Sequence, residues 1–188
     1  MRNRIIVNLL LGFCLLASAA CGGRLYKVAP LPASVPPEFP SPGANNVNIG
    51  AVALDGEQSL ERFEANLPLA GVIAVDLRIA NNTAETIRAN SFKFELRDSS
   101  GARLKQLAPK KALGAVMKYY GNSFYTKSAY RRTLDDYESV ALKTGSPVAP
   151  QEERRGIVFF QTKRNTTKVS GLTLSVAGLP APINIPLA

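Results

Sequence analysis

The chain carries 188 residues with a formal charge of +9, from 23 Lys and Arg against 14 Asp and Glu. It contains no His and no Trp, which removes the commonest metal ligand and the usual general base together. With two cysteines and no His, a Cys/His zinc site is excluded, and no cofactor is expected.

In chain order, Arg2 and Arg4 precede an uncharged, largely apolar run from Ile5 to Ala20. A cationic start, a short apolar segment and small residues at its end read as a secretory signal. The run falls short of the ~20 residues that a membrane-spanning helix needs, and Asn8 interrupts it. It closes on Ala17-Ser18-Ala19-Ala20-Cys21-Gly22-Gly23. A cysteine directly after such small residues resembles the lipobox of bacterial lipoproteins. That resemblance implies removal of residues 1–20, a diacylglycerol on the Cys21 thiol and acylation of the new N-terminus. It also implies a place in the cell envelope, at the outer membrane under Gram-negative sorting, because Gly22 rather than Asp follows the cysteine. Ser18 stands where the family usually has Leu, and Ala17-Ser18-Ala19 also fits ordinary signal peptidase. Plain secretion with Cys21 as a free thiol is the alternative.

Removing the signal takes Arg2, Arg4 and Cys14 with it, so Cys21 is the one cysteine of the mature chain and no intramolecular disulfide forms. The remaining charge of about +7 draws such a chain to the anionic lipids and polymers of an envelope. Nucleic acid is not an expected partner outside the cytoplasm. Residues 22–46 hold Pro30, Pro32, Pro36, Pro37, Pro40 and Pro42. That spacing favours extended polyproline II over helix or sheet, with a reach of up to ~75 Å. Residues 21–46 are expected to form a lipid-anchored tether, and residues 47–188 one domain large enough for its own core. A Pro-rich ligand would need a PxxP flanked by basic residues, which the segment lacks.

Beyond Asn46 the pattern is that of strands. In Gly71–Ala80, Ile73, Val75, Leu77 and Ile79 alternate with Ala74, Asp76 and Arg78; in Ser91–Arg97, Phe92, Phe94 and Leu96 alternate with Lys93, Glu95 and Arg97. Period two with charge on one face predicts half-buried antiparallel strands. Val47–Leu54, Ser139–Lys143, Gly156–Thr162, Leu172–Ala177 and Ile183–Leu187 are further candidates. Asn81-Asn82 and Asp98-Ser99-Ser100-Gly101 supply turns. One segment, Pro109–Gly121, reads as a helix with Pro at its start and Gly at its stop. A second short helix is expected near Ser123–Leu134, the two forming a crossover between sheets.

About seven short strands with this punctuation predict a mainly β antiparallel sandwich. The stretch from about Asn48 to Leu187 resembles the Ig-like β-sandwich modules of bacterial surface proteins. The resemblance rests on Gly71–Thr83, a long strand running into an N-x-T turn, and on Val148–Phe160, where Pro150, the acids, Gly156 and an apolar strand follow in order, with Gln151 where Gly is common. It implies a fold and a non-enzymatic tendency.

The candidate site is the run from Gly101 to Arg132, which contains eight Lys and Arg and no acid. Lys105, Lys110, Lys111, Lys118, Arg131 and Arg132, with Tyr119, Tyr120 and Tyr125, would offer charge attraction and ring faces to an anionic glycan or lipid. The plain alternative is that the aromatics pack the helix and the lysines are only solvated. Asp135-Asp136-Tyr137-Glu138 lacks the spacing of a calcium loop and is expected to pair with Arg131 and Arg132. Glu152-Glu153-Arg154-Arg155 is expected to be a solvated, self-compensating loop. Neither Ser-x-x-Lys nor Gly-x-Ser-x-Gly occurs. Two functions follow as expectations. One is a non-catalytic envelope lipoprotein, structural or protein-binding; the other is a module binding an anionic polymer or lipid through residues 103–132.

Overall fold

A computed structural model describes residues 23–31, 46–88, 92–178 and 182–187. The signal, Cys21 and the prolines from Pro32 to Pro42 lie outside the described residues. Among the described residues there are seven strands: β1 Val47–Ala53, β2 Val72–Asn81, β3 Lys93–Arg97, β4 Arg103–Leu107, β5 Glu153–Gln161, β6 Leu172–Ala177 and β7 Ile183–Leu187. Three helices, α1 Gly56–Phe63, α2 Pro109–Tyr119 and α3 Lys127–Val140, lie between them. Every ladder is antiparallel, and the strands form one sheet in the order β1-β2-β5-β4-β3-β6-β7. The sheet coils until β7 approaches β1, giving a nearly closed, barrel-like wall.

Two sheets were the sequence expectation, and the short β4 is what joins them into one. Its first two residues pair with β3 (Leu96↔Leu104, Arg97↔Arg103), and Lys105 to Leu107 pair with β5. The sequence reading placed this strand in the basic crossover instead. RLKQL buries only its last residue, so it carries no alternation to detect.

Inside the wall, Ile73, Val75, Leu77 and Ile79 of β2 meet Val158 and Phe160 of β5, Phe94 and Leu96 of β3, and Leu172, Leu174 and Val176 of β6. The opposite face of β2 is not the solvated face that its charges predicted. Val72, Ala74 and Asp76 are buried there with Ile157 and Phe159 beneath the helices. Phe63 of α1, Leu113, Val116 and Met117 of α2, and Tyr137 and Val140 of α3 complete this second core. Helices α2 and α3 connect β4 to β5, which are hydrogen-bonded neighbours, so they form a cap over one region of the wall and not a crossover between sheets.

Helix α1 was not foreseen. Asp55 opens it as a capping box: its Oδ1 accepts from Gln58 N–H at 2.8 Å, and Gln58 Oε1 accepts from Asp55 N–H at 3.1 Å. Glu64, at φ +50°, ends it. Residues 139–143, expected as a strand, are instead the last turn of α3 and a crossing in which Leu142 N–H bonds Ile157 O at 3.0 Å. Gly156 permits that crossing, since a Cβ there would lie 2.3 Å from Leu142 Cα.

Asp76 is the charged group of the second core. Arg155 donates to it through Nε at 2.9 Å and Nη2 at 2.7 Å, and Arg62 Nη1 lies 3.8 Å away. Arg155 is thus drawn out of the self-compensating loop that the sequence predicted, while Glu152 and Arg154 do pair with each other, at 2.7 Å. Asn81, also buried, donates to Glu85 O, Val148 O and Ala149 O. The two segments that carry the Ig-like resemblance are therefore bonded to one another.

Replacing Asp76 with Ala leaves Arg155 and Arg62 facing an apolar layer, and should cost about 3 kcal/mol, read from a urea unfolding curve. The Tyr137 hydroxyl is buried without a partner among the described residues, and burial raises its pKa. Tyr137→Phe removes that unsatisfied group and is expected to stabilise the fold by about 1 kcal/mol in the same measurement.

Candidate functional site

The segment after Cys21 is bound to the domain. Arg24 forms an ion pair with Asp136 of α3, and Leu25 N–H donates to Thr133 Oγ1 at 2.9 Å. Tyr26 is 6% exposed; its hydroxyl accepts from Asn122 Nδ2, and its ring centroid lies 6.1 Å from that of Tyr120. Burial raises the Tyr26 pKa. Lys27 N–H then bonds Glu64 Oε2 at 2.9 Å, and Ala29 N–H bonds Arg62 O at 2.7 Å. Residues 24–31 form a strap crossing α3, the end of α2 and the end of α1. Both Arg24 and Val47 belong to the same body, so residues 32–45 join two points of one domain and add nothing to the reach of Cys21 from it. A long spacer starting at residue 21, as the prolines predicted, is not what the described part of the segment forms.

The basic run divides into two places. Lys105 in the middle of β4 and Lys111 on α2 converge with Arg164, from the segment after β5, on a hollow of about 300 Å³. Ala70, Gly71, Leu107, Ala115, Gln161 and Thr162 complete its lining, with no carboxylate among them. None of the three cations forms an ion pair with a described acid. Gly71, at φ +80°, lets Arg164 lie close, since a Cβ would meet Arg164 Cγ at 3.2 Å. Arg164 escaped the sequence reading because it lies more than thirty positions beyond the acid-free run and only the fold brings it back. Such a hollow suits an anionic group, with Gln161 and Thr162 as hydrogen-bond partners.

The other predicted residues do not enter the hollow. Lys110 and Lys118 are exposed on α2, and Arg131 and Arg132 on α3. Tyr119 is half-buried and edge-on to Tyr120 at 5.0 Å. Tyr120 is 42% exposed, but its hydroxyl is engaged by Asn66 N–H at 2.9 Å. Tyr125 is 46% exposed and stacks on Tyr130 at 5.6 Å. Phe124, beside it, is 97% exposed. The tyrosines are thus partly packing groups, and the ring that stands free is Phe124. In the acid cluster, Asp136 takes Arg24 as its partner. Among the described residues, no group of three His, Cys, Asp or Glu could hold a metal ion, and no helix is long and apolar enough to cross a membrane.

Reversing Lys105, Lys111 and Arg164 to Glu together should weaken binding to a polyanion by about a hundredfold at low salt, measured by titration. Lys93→Glu on β3 should leave it nearly unchanged.

No protein-family model matches this sequence, and no curated protein is significantly similar to it. Among solved structures, a conserved hypothetical protein from Bacillus anthracis is similar at 12% identity, over 85% of this chain and 95% of that one, with a TM-score of 0.35. A likeness at that level carries no argument about fold or function.

Proposed function

We propose that this chain is an exported, lipid-anchored protein of the cell envelope, without a catalytic task, whose β domain is held at the membrane by Cys21 as a structural or protein-interaction module. The observation that carries the reading is the strap. The lipobox-like Ala17–Cys21 is followed within three residues by Arg24, which is fixed to α3. Three residues of extended chain reach about 10 Å, so an acyl group on Cys21 would hold the domain close to the bilayer. The non-catalytic part rests on the sequence, which has no His, no Ser-x-x-Lys and no Gly-x-Ser-x-Gly.

An Ig-like ancestry belongs to the same proposal. Its support is the strand order: β1-β2-β5-β4 and β3-β6-β7 run in the ABED and CFG orders of a constant-type Ig domain. Here the β3–β4 hairpin would fuse the two halves. A second reading, binding of an anionic polymer or head group, is favoured by the acid-free hollow of Lys105, Lys111 and Arg164.

Globomycin, which blocks lipoprotein signal removal, should make a heavier precursor accumulate in cells expressing the chain. Untreated, the mature protein should carry the mass of its acyl chains and leave the membrane with detergent but not with salt. A soluble mature chain bearing a free Cys21 thiol overturns the anchor.

A further inference from the structure

Helices α2 and α3 are joined by a link running from Tyr120 to Thr126. The ring of Phe124 stands almost wholly in solvent at its tip, with Tyr125 held beside it by stacking on Tyr130. Nothing in the described domain covers Phe124. Lys118 at the end of α2, and Lys127 and Arg131 in the first two turns of α3, flank the link along the chain; all three are exposed and none pairs with a described acid. The acids of α3 lie toward its other end, where Asp135 and Glu138 are exposed and Asp136 is taken by Arg24. An apolar ring projecting from a cationic collar is the composition that settles at a bilayer interface, the ring among the upper acyl carbons and the cations on the phosphates.

The strap ties this link to the anchor. Tyr26 holds Asn122 and packs on Tyr120, both in the link, while Arg24 is fixed to Asp136. From Lys127 to Asp136, α3 is about 14 Å long, and the three residue steps from Cys21 to Arg24 reach about 10 Å when extended. A lipidated Cys21 would thus be tethered, through Arg24, to the same helix whose first turn adjoins the link.

The geometry points to a second attachment of this protein to the membrane. The α2–α3 link, with Phe124 at its tip and Lys118, Lys127 and Arg131 around it, docks on anionic phospholipid beside the acyl anchor. This deepens the lipid-anchored reading and rests on it for the placement of Cys21. Docking at two points fixes the rotation of the domain about its anchor, which a single acylated residue does not.

The chain has no Trp, so Phe124→Trp gives a single tryptophan that can be excited apart from the tyrosines. The full chain carrying it, with its lipidation checked by mass, is reconstituted into vesicles of phosphatidylglycerol and phosphatidylcholine containing lipid brominated near the carbonyl end of its acyl chains. The expected result is emission at short wavelength with strong quenching by the bromines, whereas a Trp introduced as Lys93→Trp on β3 stays unquenched. Adding Lys118→Glu and Lys127→Glu should reduce the quenching in step with phosphatidylglycerol content. A lipidated chain whose Trp at 124 emits as in water and is not quenched overturns the docking while leaving the anchor intact. A chain without acyl mass overturns the anchor instead; salt-sensitive vesicle binding with quenching then upholds the docking, and its absence overturns it. Burial of the Trp only after an envelope protein is added reassigns the surface to a protein contact and also overturns the proposal.

Discussion

Everything in this domain is built on the ladder between β2 and β5, nine residue pairs long and buried on both faces. Two-sided burial of one strand pair makes two cores share a wall. Phe159 and Phe160 are neighbours in sequence, yet Phe159 lies against Phe63 and Tyr137 under the helices while Phe160 fills the barrel interior. A strand buried on both sides has no solvated face on which to place a charge, so Asp76 must bring its own counterion. Arg155 supplies it from the same ladder, one diagonal step away, as a two-pronged bond. The helical cap, the strap over it and the link between its helices all take their positions from this wall.

The inward half of that arrangement was legible in the sequence, because alternation of large apolar residues is a direct record of one buried face. The outward half was not. Ala74, Asp76 and Arg78 read as a solvated edge, and only the tertiary packing of α1 to α3 turns Ala74 and Asp76 into interior residues. Helix α1 was marked in the sequence by Asp55 and Gln58 at capping-box spacing, a signal easily passed over in a segment whose apolar residues are few. Strand β4 carried no signal, since an edge-to-edge bridge made of RLKQL is held by backbone bonds and not by burial. The candidate site was legible as a composition and not as a place. The absence of acid from Gly101 to Arg132 did mark basic surface, but grouping by sequence joined Lys111 to Lys118 and missed Arg164. Tyr119, Tyr120 and Tyr125 were open to two readings, ligand platform or packing group, and in the fold the tyrosines serve first as clamps: Tyr120 on Asn66, Tyr26 on Asn122, Tyr137 between two phenylalanines.

The strap changes what the proline-rich segment means. Prolines are commonly read as distance, because polyproline II is stiff and extended. Here the chain is fastened on both sides of them, at Ala29 and at Val47, so their stiffness acts within a loop on one body.

The parity of the wall has its own consequence. Six antiparallel steps separate β1 from β7, so the two edge strands run in the same direction. The antiparallel pattern of the rest of the wall cannot continue across them, and no ladder joins them among the described residues. The cylinder is therefore closed by side chains and not by backbone, along a single longitudinal line. Breathing of the barrel will concentrate there, with the amides along that line exchanging with solvent long before those of β2 and β5. The stiffest and the softest elements of the wall are thus only one strand apart.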